Sequence, residues 1–137
     1  MNLEHEKIVV AISDAEKNTS GEIQVVVTQK STHDVYKSAR KTFKKIGLGK
    51  TKCKNAVLFY IAEQSREFAI LGDSGIHERV GQDFWNDLRD TMNENFRQSQ
   101  FTQGLCTVIR LCGEKLACYF PAEKTDVNEL ENRVHVE

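Results

Sequence analysis

The sequence predicts an α/β fold: a three-layer α/β/α sandwich around a small mixed β-sheet that contains a β-hairpin. Three observations carry that expectation. Two apolar runs, Asn55-Ala56-Val57-Leu58-Phe59-Tyr60-Ile61 and Glu67-Phe68-Ala69-Ile70-Leu71-Gly72, are separated only by Ala62-Glu63-Gln64-Ser65-Arg66, the pattern of a buried hairpin. A third run, Glu22-Ile23-Gln24-Val25-Val26-Val27-Thr28, is β-branched and nearly continuous, as expected of a strand covered on both faces. The segments between and after these runs place apolar residues at helical spacing.

Residues 3–17 read as the first helix, with Leu3, Ile8, Ile12 and Ala15 close to one stripe and Glu4, Glu6, Asp14 and Lys17 outside it. Asn18-Thr19-Ser20-Gly21 ends it, and Gly21 is expected as a left-handed stop or bend. The first strand follows. After the loop Lys30 to His33, Asp34 is placed to cap a second helix whose stripe is Tyr36, Ala39, Phe43 and Ile46. That helix ends at Gly47-Leu48-Gly49, and the polar linker Lys50 to Lys54 leads into the hairpin. The hairpin's second strand stops at the turn Gly72-Asp73-Ser74-Gly75. A short turn, Ile76 to Val80, is expected before Gly81. Trp85, Leu88, Met92 and Phe96 share a face of a third helix. Thr102 is expected to cap a fourth, which bears Leu105, Val108, Ile109, Cys112, Leu116 and Phe120 and is closed by Pro121. Residues 1–121 therefore read as one domain. Residues 122–137 read as a polar, frayed or weakly docked tail, with Val127, Leu130 and Val134 as a faint helical hint.

A helix between the first two strands makes them parallel, with a right-handed crossover. The hairpin returns the third strand antiparallel. Helices on both faces of such a sheet are the natural packing.

The 137 residues suffice to bury a core without metals or disulfides. Lys plus Arg number 19 against 20 Asp plus Glu, so nothing global calls for a nucleic acid or an acidic membrane, and no nucleic-acid partner is expected. The polar start, Met1 to Lys7, carries no signal-peptide pattern. No stretch approaches the roughly 20 apolar residues of a membrane span. A cytoplasmic monomer is the expectation. Cys53, Cys106, Cys112 and Cys118 contain no CxxC pair, and read as reduced core or surface residues. His5, His33, His77 and His135 are scattered and no G-x-S-x-G is present, which leaves little support for a nucleophile–histidine–acid hydrolase. Trp85 reads as a core residue and His77 as a helix-surface residue. Lys37, Arg40, Lys41, Lys44, Lys45, Lys50, Lys52 and Lys54 form a basic stretch without an acid between Asp34 and Glu63. It reads as a solvated helix face, with a phosphate-bearing or protein partner as the alternative.

Topology also places a candidate site. The first two strands begin at the end of the sheet where the third finishes. Ser20, Gly21 and Glu22, then Asn55, then Asp73 and Ser74 should therefore meet on one rim. Two carboxylates, an amide oxygen and hydroxyls form the ligand set that a hard divalent cation prefers. Paired carboxylates also raise one another's proton affinity, which suits general acid or base work. The structural alternatives are that Asp73 bonds its own turn, Glu22 pairs with a lysine such as Lys54, and Asn55 caps a strand end.

Asp14-Ala15-Glu16-Lys17-Asn18-Thr19-Ser20-Gly21-Glu22-Ile23 resembles the E-x-x-T-G-E-I opening of the TPM domain family. The likeness continues through Asn55-Ala56-Val57-Leu58, Ala69-Ile70-Leu71-Gly72-Asp73-Ser74-Gly75-Ile76, Phe84-Trp85, Gly104-Leu105, and Gly113-Glu114-Lys115-Leu116 to Phe120-Pro121. It spans about residues 3–121, and the order and spacing of the motifs carry it. The resemblance implies an α/β/α sandwich and an oxygen-lined site for calcium or another divalent ion. It also implies phosphatase activity, attributed to some plant members. Carried over, the site positions are Glu22 and Asp73 with Asn55 beside them, as metal ligands. Better-known members carry an N-terminal signal, a following membrane helix and a cluster of aspartates, and none of the three is expected here. The expected function is thus a binding or regulatory protein that holds calcium. The alternatives are a metal-assisted acid phosphatase, with Asp73 as base or metal ligand, and a protein-interaction module using the basic helix around Lys41 and Lys44.

Overall fold

Strands β1 (Glu22–Thr28), β2 (Ala56–Ala62), β3 (Glu67–Gly72) and β4 (Val134–Val136) form one mixed sheet in the order β3-β2-β1-β4. A computed structural model describes residues 1–122 and 134–137. All seven residues of β1 and all seven of β2 are buried, as their continuous apolar character requires of central strands. β1 and β2 run parallel with Glu22 opposite Ala56 and Thr28 opposite Ala62. β2 and β3 are antiparallel with Val57 opposite Gly72 and Ala62 opposite Glu67.

Helices α1 (His5–Glu16), α2 (Val35–Lys45), α3 (Ser74–Arg97) and α4 (Phe101–Tyr119) complete the sandwich, with a short 3-10 helix at Leu48–Lys50. Alternation of side chains sorts the sheet into two faces. Ile23, Val25, Val27, Val57, Phe59, Ile61 and Ile70 pack with Ile8 and Ile12 of α1, Trp85, Leu88 and Met92 of α3, and Leu105, Ile109 and Leu116 of α4. Val26, Leu58, Tyr60 and Ala69 pack with Val35 and Ala39 of α2 and with Leu48. Each large aliphatic side chain taken from water in this way stabilises the fold by about 2 kcal/mol. Asp34 caps α2, its Oδ1 accepting from the Lys37 amide at 3.1 Å.

The structure corrects four details of the sequence reading. Ile76 to Val80 is helical: α3 begins at Ser74 and is interrupted only at Gly81, with φ 75° and ψ 176°. Thr102 does not cap α4, which starts at Phe101 with Gln100 as the capping position. Its hydroxyl instead accepts from the Glu4 amide at 3.0 Å and donates to the Asn2 carbonyl, tying the chain start to α4. Gly21 does not adopt a left-handed backbone; the positive-φ glycines are Gly47 and Gly81. Its lack of a side chain serves close packing, since a Cβ there would lie 2.9 Å from Leu116. Val134 belongs to a strand and not to a helix, so the end of the chain is part of the sheet, with Val134 opposite Val25. Val127 and Leu130 lie outside the described residues. Of the cysteines, Cys53 and Cys118 are exposed, while burial pushes the Cys106 and Cys112 thiols up.

Candidate functional site

The start of β1 is fixed from behind. The Thr19 hydroxyl accepts from the Gly21 amide at 3.0 Å and donates to the Phe120 carbonyl, while the Ser20 amide donates to that same carbonyl at 2.9 Å. The Glu16 carboxylate accepts from the Ile23 amide at 2.7 Å, a charge-assisted bond across the helix–strand connection. Glu22 therefore enters the sheet from a rigid platform, and it is only 2% exposed.

The end of β3 is fixed as firmly. The Asp73 amide donates to the Ala56 carbonyl at 2.9 Å, which sets Asp73 beside Ala56 across the β2–β3 pair. Asp73 is also the N-cap of α3: its Oδ1 accepts from the Ser74 amide at 2.8 Å and its carbonyl from the His77 amide at 3.0 Å. Its other oxygen, Oδ2, is buried and has no hydrogen-bond partner.

Register now decides which predicted residues meet. Glu22, Ala56 and Asp73 lie side by side on three neighbouring strands. By alternation Glu22 shares the face of Val26 and Asp73 that of Ala69, which is the α2 face in both cases. The small Ala56 stands between them. Their backbones are about 10 Å apart, two strand spacings, a gap that two carboxylate side chains leaning across an alanine can close to share one ion. Asn55, 1% exposed, falls on the opposite parity. Its Nδ2 donates to the Ser20 Oγ at 3.4 Å and its amide to the Thr51 Oγ1 at 3.3 Å. The Lys54 ammonium donates to the Gly49 carbonyl. The rim is thus built from oxygen: two carboxylates, the Asn55 side chain, the Ser20 and Thr51 hydroxyls, and the Cys53 and Lys54 carbonyls that crowd Gly75. That set suits a calcium-like ion and not zinc. Among the described residues no group of three or more His, Cys, Asp or Glu is gathered for a metal, so a cation here would keep several waters.

Beside Asp73 lies a feature that sequence reasoning missed. A cleft of about 310 Å³ is lined by Tyr36 of α2, by Ile70, Leu71 and Gly72 of β3, and by His77, Gln82, Trp85 and Arg89 of α3. Trp85 is 5% exposed, as a core residue should be, yet its indole N–H donates to the exposed His77 Nδ1 at 2.9 Å. Arg89 Nη1 donates to the Tyr36 hydroxyl at 2.9 Å and Nη2 to the Asn86 Oδ1. The available signal was the spacing of Trp85 and Arg89, four residues apart and so on one face of the helix. Nothing local says that Tyr36, fifty-three residues earlier, stands opposite.

The TPM domain family matches this chain over residues 2–115. No curated protein matches the chain. Among solved structures, the BA42 protein of the psychrophilic bacterium Bizionia argentinensis is 41% identical, with a TM-score of 0.90, covering 100% of this chain and 97% of its own. The N-terminal domain of the cg2496 protein of Corynebacterium glutamicum is 12% identical, with a TM-score of 0.62, covering 94% of this chain and 75% of its own. At that identity the second likeness shows the fold alone. No helix among the described residues is long and apolar enough to cross a membrane.

Proposed function

The chain belongs to the TPM domain family, and from that premise we propose that it is a binding protein of regulatory character that holds one divalent cation, calcium by preference, at the rim where Glu22 and Asp73 flank Ala56. The observation that carries the reading is the Asp73 Oδ2, buried and, among the described residues, without a hydrogen-bond partner at the end of β3. Leaving such an oxygen unsatisfied costs about 1–3 kcal/mol. A cation removes that cost, and the Glu22 carboxylate across Ala56 supplies the second charge. Asn55 lies on the opposite parity and turns its nitrogen to Ser20, so the two carboxylates carry the site. With two carboxylates the site is weak, in the range of a sensor or an extracellular module and not of a buffer.

The same atom narrows what a hydrolytic reading could be. Asp73 has one oxygen committed to the Ser74 amide. Its remaining oxygen can ligate an ion or take a proton, but not both at once, so with an ion held there Asp73 would not be the general base and the nucleophile would have to be water activated by the ion.

Calcium titration of isotopically labelled protein tests the reading. Saturable amide shifts are expected at Gly21, Glu22 and the segment Gly72 to Gly75. Asp73→Asn keeps the helix cap, because asparagine caps as well as aspartate, and should keep the melting temperature while abolishing those shifts. Calcium at a hundredfold its dissociation constant should stabilise the native chain by about 2.7 kcal/mol and Asp73→Asn not at all. Shifts elsewhere only, or an unaltered titration in Asp73→Asn, would refute the site. Turnover of an aryl phosphate with calcium, magnesium or manganese would replace binding by catalysis.

A further inference from the structure

We propose that the cleft beside β3 receives an extended peptide ending in a free carboxylate, which adds to the sheet as a further strand along the open edge of β3 and delivers its carboxylate to Arg89.

Among the described residues β3 is an edge strand, paired with β2 alone. Because the Asp73 amide points inward to the Ala56 carbonyl, alternation turns the amides and carbonyls of Phe68, Ile70 and Gly72 outward. Among the described residues none of these outward groups has a hydrogen-bond partner. Edges are normally blunted by lysine, proline or a bulge. Glu67-Phe68-Ala69-Ile70-Leu71-Gly72 has no lysine, no proline and a single charge at its first position, and it pairs with β2 without a bulge. Ile70 and Gly72, two of the outward residues, line the cleft.

The walls state what the strand would carry. Arg89 is half-buried, and among the described residues it forms no ion pair. Among the described residues its hydrogen bonds go to neutral oxygens, on Tyr36 and Asn86. A guanidinium has five N–H donors in a planar fork that matches a carboxylate. Tyr36 and Trp85 supply aromatic surface for an apolar last side chain, and the indole is steadied by its bond to His77. A cleft of 310 Å³ holds two or three residues, a run of about 10 Å at strand rise, which matches the length from Ile70 to Gly72. Backbone pairing supplies affinity and the terminal carboxylate supplies direction, a combination that edge-binding modules use.

The test uses the whole labelled chain in the presence of a metal chelator, so that failure of the cation reading does not touch it. The probe is a pool of acetylated pentapeptides drawn from Val, Ile, Leu and Thr, with free carboxyl ends, titrated beside the same pool amidated. The free-acid pool should shift the amides of Phe68, Ile70 and Gly72 and the Trp85 indole N–H. The amidated pool should bind about tenfold more weakly, the worth of one charge-assisted pair. Arg89→Gln should erase the difference between the pools. A pool methylated at alternate backbone nitrogens should shift none of these signals. Absence of shifts along β3, equal binding of the two pools, or a difference that survives Arg89→Gln would each overturn the proposal. So would sedimentation showing that β3 pairs with a second copy of the chain. The comparison of pools on the native protein needs no variant, and decides the matter even if Arg89→Gln does not fold.

Discussion

A methyl group at position 75 would lie 2.1 Å from the Cys53 carbonyl oxygen and 2.6 Å from that of Lys54. Both are backbone atoms, so neither can swing away as a side-chain tip would. The Lys54 carbonyl also accepts from the Ile76 amide at 3.3 Å, and Lys54 itself sits at φ 53°. One glycine therefore lets the linker before β2 close against the first turn of α3, and that closure brings Asn55 and Asp73 to the same rim. Gly75→Ala is expected to cost about 3 kcal/mol through forced displacement of the linker, lowering the melting temperature by roughly 10 °C. It should weaken calcium binding as well, since the rim opens with it. Asp73→Asn should do the second without the first. A calorimetric scan of both variants separates an architectural residue from a liganding one: a Gly75→Ala protein that melts like the native chain would mean that linker and helix are not in contact.

Among the elements, α3 holds the most information that the sequence concealed. Its first turns, Ser74 to Val80, hold His77, Glu78 and Arg79, all exposed, and so lack the apolar period that marks a helix from sequence alone. The turn expected before Gly81 is helix, and helix lies on both sides of that glycine. The backbone there, φ 75° and ψ 176°, belongs to a region essentially restricted to glycine, and no atom lies within 4 Å of where a Cβ would sit. Gly81→Ala therefore meets strain without a clash, at about 2 kcal/mol. The kink is expected to relax toward a continuous helix, moving His77 relative to Trp85. Loss of the downfield position of the Trp85 indole N–H would report it, and an unchanged indole signal in Gly81→Ala would contradict the kink. The hairpin and the parallel crossover were readable because their apolar runs are long and their breaks are short. Glu22 and Asp73 could be placed on one rim because each sits at a strand end that the sequence marks. Arg89 could not, because its partner Tyr36 comes from another helix and only tertiary packing sets the two together. β4 was missed because it has three residues and draws its strand character from β1 and not from its own pattern.

At the scale of the whole molecule, the two edges of the sheet are treated differently. Among the described residues no strand pairs with the outer edge of β3, whereas the β1 edge is closed by residues 134–137. Glu137 makes four of the bonds that hold them: its amide to the Val27 carbonyl at 2.8 Å, its carbonyl from the Gln29 amide at 3.2 Å, and its carboxylate from the Thr42 and Tyr60 hydroxyls at 2.7 and 2.9 Å. His135 adds a 2.6 Å contact between its Nε2 and the Gln24 Oε1. At about 1 kcal/mol for each such bond, deleting residues 134–137 should cost about 4 kcal/mol and expose Val25, Val26 and Val27 as a flat apolar edge prone to self-association. The deletion also carries a pH signature. Burial, and then the Glu137 carboxylate, hold the Tyr60 phenol above its ordinary value near 10. The folded chain thus keeps this proton to higher pH than the unfolded chain does. The stability that follows is complete below about pH 10 and is lost as the pH climbs through the folded value. Removing Glu137 takes away one of the two causes, so phenol ionisation followed by ultraviolet absorbance should begin at lower pH in the shortened chain, with alkaline unfolding moving in the same direction. If the shortened chain instead matches the native one in melting temperature, in its association on concentration and in its phenol titration, the C-terminal residues are a passive tail and β1 is stable as an open edge.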